Sequence, residues 1–183
     1  VAHATPATCV TTVGTGTQTC NGDGNGVLSH SASSSNEPFR FWQHLANAGL
    51  IEGNYRGTTD GSNTYSATLN NVMRGKISSA LWYVNNWGTI AGAGWIFDGI
   101  YNNYLEYGGS LANNEPGTVI FKPEELWNID VKIDDGKPAT GKLVMRGTFS
   151  SCTTTSSSSN LAADYLLSNS GLACIAIFPN AVN

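Results

Sequence analysis

Apolar residues at Phe41, Trp42, Leu45 and Ala48 recur at helical spacing, in a segment that opens on Glu37-Pro38 and stops at Gly49. Proline suits a first helical turn and glycine the residue just past the last, so the pattern predicts a helix over 37–48. A second stripe, Leu126, Ile129 and Ile133, follows Pro123, with Trp127 on its flank and Asp134-Asp135-Gly136 at its end. It predicts a helix over 123–133. Elsewhere the apolar residues gather in aromatic and β-branched runs bounded by Gly, Asn and Ser: SSALWYVNNW, GWIFDGIYNNYLEYG (one strand or two), TVIF at 118–121, GKLVMRGTF at 141–149 and ACIAIF at 173–178. These read as strands.

Between these elements the polar positions dominate. Residues 1–35 are rich in Thr, Gly and Ser and read as loops with a short hairpin at most, while 70–79 fits no single type. The run TTTSSSS at 153–159 has nothing to bury and is expected to be mobile, and Leu161–Leu167 to form a helical turn. Strands grouped around two separated helices, without βαβ alternation, predict an α+β fold with a mainly antiparallel sheet, in one domain over 1–183.

Composition narrows the function. Charged residues are only 12% of the 183, and nine Lys plus Arg against thirteen Asp plus Glu give a formal charge of −4. No basic stripe exists to collect phosphates, so nucleic acid is not expected as a partner. With no secretory signal and no run of 18 apolar residues, nothing here is expected to insert into a bilayer. The four cysteines, Cys9, Cys20, Cys152 and Cys174, permit three pairings, of which the local ones are favoured. Cys9–Cys20 would tie the 1–35 region and Cys152–Cys174 the C-terminal one, each contributing about 2–4 kcal/mol on the loop-entropy account. An oxidising compartment follows.

Four groups of residues invite chemistry. Asn21, Asp23 and Asn25 alternate ahead of Gly26 as in the first half of a calcium loop. The twelfth position is Ala32 rather than a bidentate Glu, so an EF-hand is excluded and a glycine-rich turn capped by its own side chains is the competing account. Asp130, Asp134 and Asp135 form a carboxylate cluster at a helix end, where a cation, or Lys132, Lys137 or Arg146, would relieve repulsion. Those aspartates with Glu124 or Glu125, and the histidines His3, His30 and His44, supply no recognisable hydrolase motif, and no enzyme is expected. Trp82, Trp87 and Trp95, with Tyr83, Asn85 and Asn86 among them, have the aromatic and amide mix that binds sugars, though core packing explains them equally.

Read in order, GDGNGVL at 22–28, EPFRFWQHLANAGLIEGNYRG at 37–57 and PEELWNIDVKIDDGKPATGKL at 123–143 resemble the type IV prepilin-like proteins of the pilin and type II secretion pseudopilin class. The resemblance implies a pilin-like globular head, a structural subunit of a type IV pilus (fimbrium) or pseudopilus-like filament. Such a head is periplasmic or extracellular, and its partners are other pilin or pseudopilin subunits. The class is defined by a leader peptide and a long apolar helix with an early glutamate, which this sequence lacks, so the chain is expected to be a piece of a longer one. The alternative is an extracellular carbohydrate-binding or adhesin module that uses the aromatic segment at 80–107 and recognises a surface glycan.

Overall fold

The structure, a computed structural model, describes residues 3–4, 19–20, 24–29, 37–60, 64–77 and 79–182, the first four by backbone alone. It is α+β with mainly antiparallel pairing. The chain divides into two compact units, one of Val1–Asn86 with Ser110–Pro116 and the other of Trp87–Gly109 with Gly117–Asn183.

The first unit holds β1 (His3–Ala4), β2 (Thr19–Cys20), α1 (Glu37–Asn47) and β3 (Ala80–Asn85). The first two pair in parallel; most of the 1–35 region, where the sequence allows a short hairpin, lies outside the described residues. Gly49, at φ +71°, closes α1, with Leu50 N–H reaching back to Leu45 C=O at 3.0 Å. Glycine takes the left-handed conformation without a Cβ penalty, so this end was readable in the sequence.

The buried side of α1 was less readable. Phe39, Trp42 and Gln43 face inward with Glu37, Pro38 and Arg40, whereas Phe41 and Leu45 are half-buried and Ala48 is exposed. Phe39 sets this face by packing edge-on against Tyr83 of β3 at 6.1 Å. Burying Arg40 requires a partner, and its Nη1 donates to Gln43 Oε1 at 2.9 Å. Desolvation lowers the Arg40 pKa to about 10.

The second unit holds β4 (Gly88–Ile90), β5 (Gly99–Tyr101), β6 (Tyr104–Gly109), α2 (Pro123–Ile133), β7 (Val144–Gly147), α3 (Phe149–Cys152) and β8 (Cys174–Phe178). Strands β4 and β5 pair antiparallel, and β8 lies between β6 and β7, antiparallel to both. On β8, Cys174 faces Gly147 of β7, Ala176 faces Met145 and also Tyr107 of β6, and Ile177 faces Val144 and Glu106. Burial of Leu143, Met145, Ile175, Ile177, Ile96 and Phe97 makes the core, with Phe97 against Phe149 of α3 at 4.7 Å. A disulfide joins Cys152 of α3 to Cys174 of β8 across a Cα separation of 5.5 Å, within the range the bond requires. Cys9 and the side chain of Cys20 lie outside the described residues.

Three expectations change. TVIF is no strand: Thr118 and Phe121 make isolated bridges to Gly109 and Cys174. No helix forms at 161–167, where Tyr165 instead bridges Thr153. For the same reason the Ser/Thr run is held in place: Thr153 is buried, its Oγ1 donates to Phe149 C=O at 3.0 Å, and Thr154 N–H bonds Asp164 C=O. Composition alone reads such a run as loose, because it counts apolar groups and overlooks hydroxyls that satisfy a buried backbone. No helix among the described residues is long and apolar enough to cross a membrane.

Candidate functional site

The acidic end of α2 is the most organised polar site in the second unit. Pro123 opens the helix, and Glu125 accepts the Lys122 N–H at 2.9 Å, so this glutamate caps the helix start. The inward face carries Pro123, Leu126 and Asp130, with Trp127 half-buried beside them. Ile133, expected on this face, is instead 42% exposed. The stripe therefore runs one turn short of its apolar end and terminates on a carboxylate.

Asp130 is fully buried. Its Oδ2 accepts the Tyr165 hydroxyl at 2.8 Å and its Oδ1 the Gly136 N–H at 3.3 Å. Asp134 accepts the Lys142 N–H, while Asp135 takes the Lys137 N–H at 2.8 Å and the Thr140 hydroxyl at 2.7 Å. Helix-terminal carboxylates thus staple the turn 136–142 that follows. Glycine is required twice in it: Gly136 has φ +72°, and Gly141, at φ +87°, leaves no room for a Cβ beside the Asp134 carboxylate.

Electrostatics separate these three aspartates. Burial, reinforced by Asp135 and Asp134, pushes the Asp130 pKa up to about 6 against the opposing hydrogen bonds of Tyr165 and Gly136. Burial and the adjacent Asp130 raise the Tyr165 hydroxyl as well. One oxygen from each aspartate lies within 4.8 Å of the others, a spacing that a hard cation could bridge. Each carboxylate, however, already accepts N–H or O–H groups from the turn or from Tyr165.

None of the three basic side chains that the sequence offered as partners, Lys132, Lys137 and Arg146, pairs with these carboxylates. Lys137 Nζ reaches Asp164 at 2.5 Å, with both side chains largely exposed. Solvent and side-chain entropy discount such pairs, so Lys137→Ala is expected to change the unfolding free energy by less than about 1 kcal/mol in urea titrations.

Arg146, on β7, pairs with Glu106 on β6, whose side chain is fully buried. Its guanidinium carbon also lies 5.0 Å from the Trp95 ring centre and 5.3 Å from that of Trp87, within cation–π range. Trp87 and Trp95 meet edge to face at 4.9 Å, and Trp87 packs on Tyr104 at 3.9 Å. Two of the three tryptophans considered for sugar stacking are therefore brought together around a cation, with Trp95 38% exposed and Trp87 engaged in packing. Trp82, on β3 of the first unit, is half-buried.

Of the candidate calcium loop, Asn21 and Asp23 lie outside the described residues. Asn25 Oδ1 accepts the Val27 N–H at 2.7 Å, the self-capping geometry of a turn. His30 and the side chain of His3 are likewise outside, and His44 is an exposed residue of α1. Sequence reasoning missed the Glu106–Arg146 and Asp130–Tyr165 pairs, which span 40 and 35 residues. No protein-family model, curated protein or solved structure matches the chain.

Proposed function

We propose that this chain is the globular head of a filament subunit of the type IV pilin or type II secretion pseudopilin class. Its work is structural: to present a stable surface and to meet neighbouring heads. The observation that carries this reading is the block PEELWNIDVKIDDGKPATGKL, whose resemblance to that class lies in a helix and turn preceding a C-terminal cysteine region. In this chain the block is a helix, α2, closed by a turn that three of its own aspartates hold, and it leads into the strand pair β7–β8 with Cys174 in disulfide linkage. A head on a filament outside the cytoplasm has to keep its shape in an oxidising compartment. A covalent clip formed there serves that need.

The test is the natural translation product. An apolar segment of membrane length behind a short basic leader, together with recovery of the protein in sheared surface filaments, is the expected result. A plain secretory signal followed directly by this domain, with the protein free in the medium, would overturn the filament reading.

A further inference from the structure

The first unit contains a half-open cavity of about 500 Å³, in the size range of small-molecule sites. Leu81, 1% exposed, and Leu69, 56% exposed at the rim, supply apolar lining. Asp60 and Arg74 supply the charges.

Those charges are not equivalent. Asp60 is already neutralised: Oδ1 pairs with Arg56 at 2.6 Å, while Oδ2 accepts the Thr68 hydroxyl at 2.9 Å and the Asn70 amide at 2.7 Å. The amide and hydroxyl bonds first, and Arg56 after them, hold its carboxyl below the usual range against partial burial. The Arg74 guanidinium, by contrast, makes no hydrogen bond or ion pair among the described residues. The uncompensated charge in the described lining is therefore positive.

Arg74 is also held in place by its backbone. It bridges Leu81 through Gly75 N–H to Ala80 C=O and Trp82 N–H to Met73 C=O, both 2.8 Å. The preceding turn is fixed by the fully buried Asn71, whose amide donates to Thr58 and Ser66 carbonyls. Across the bridge, Ser79 lines the cavity at φ +61°, a conformation costly for a residue with a Cβ, and its carbonyl is held by Ser110 N–H at 2.9 Å. Hydrogen-bonded backbone around the Arg74 guanidinium, unpaired among the described residues, and around the Ser79 hydroxyl lowers the ordering cost of binding an anion.

We propose that this cavity binds a small organic carboxylate with an apolar body, its carboxylate on Arg74 beside Ser79 and its body against Leu69 and Leu81. Arginine suits the planar carboxylate, and the leucines give the body a surface that a sugar acid would use poorly. The test follows backbone amide shifts of residues 68–81 by NMR during titration with 3-phenylpropionate, with its uncharged amide and with glucuronate. The expected result is saturable binding of 3-phenylpropionate at millimolar concentration, at least ~10-fold tighter than the amide or glucuronate, and weakened ~10-fold in Arg74→Gln. Arg74 is exposed, so this variant should fold, and its thermal midpoint verifies that. Equal binding of acid and amide, an unchanged Arg74→Gln, or no saturation by about 20 mM would remove the carboxylate site. Glucuronate binding as well as 3-phenylpropionate would remove the apolar half of the proposal.

Discussion

Replacing Arg146 by alanine is expected to lower the unfolding free energy by about 3–5 kcal/mol, the typical cost of removing one partner from a buried ion pair. Glu106 has no side-chain exposure and Arg146 only 14%, so the alanine variant withdraws the guanidinium from a carboxylate that water does not reach. It also removes the cation that sits against Trp87 and Trp95, and the alkyl stem that packs with it. Glu106→Gln should cost less, because the arginine keeps both tryptophan contacts and some access to solvent. The double variant Glu106→Gln/Arg146→Met should regain much of the alanine loss, since an apolar side chain of similar length fills the space and no buried charge remains. Urea unfolding of the wild type, the single variants and the double variant measures all of this. A loss below about 1 kcal/mol for Arg146→Ala would mean that the pair is as weakly coupled as a surface bridge.

That pair shows where the sequence stops being informative. Arg146 stands near Asp130, Asp134 and Asp135 along the chain, and proximity in sequence suggests them as its partners; the β6–β8–β7 order places it with Glu106 instead. The boundaries of α1 and α2 were legible because Pro38, Gly49, Pro123 and Gly136 act locally, through φ and the missing Cβ. Which side of each helix is buried was legible only in part, since Phe39 answers to Tyr83 and Asp130 to Tyr165, both distant in sequence. The strands at 80–85, 144–147 and 174–178 were legible from their apolar, β-branched runs. The isolated bridges of Thr118, Phe121 and Thr153 have no local signature, because a single bridge is set by what lies opposite. The cluster at 130–135 was visible as three aspartates, but its role in stapling 136–142 depends on backbone N–H groups that every sequence carries.

Stability is expected to fall as pH rises from about 4 to about 7.5, through Asp130. The sign follows from its environment: burial lifts its folded pKa from the ordinary 3.8 to about 6, so the folded state holds a proton that the unfolded chain gives up more readily. This stabilisation is complete below about 4 and is lost as pH passes about 6. The interval between 3.8 and about 6 corresponds to about 3 kcal/mol. Asp60 acts in the opposite sense and lower on the scale: its folded pKa lies below the ordinary value, so its contribution disappears only as the solution becomes more acidic than that. Asp130→Asn isolates the effect. An amide oxygen can accept from Tyr165 or from Gly136 but not as well from both, which should cost about 1 kcal/mol relative to the protonated wild type. It carries no charge to bury, so the variant should be flat across the window where the wild type declines. The two stability curves should therefore cross between pH 4 and pH 7.5, with the variant the weaker protein in acid and the stronger one above neutrality. Parallel curves from urea titrations at half-unit intervals would show that the Asp130 carboxylate ionises without penalty, and that Tyr165 and the turn stabilise its charge as well as water does.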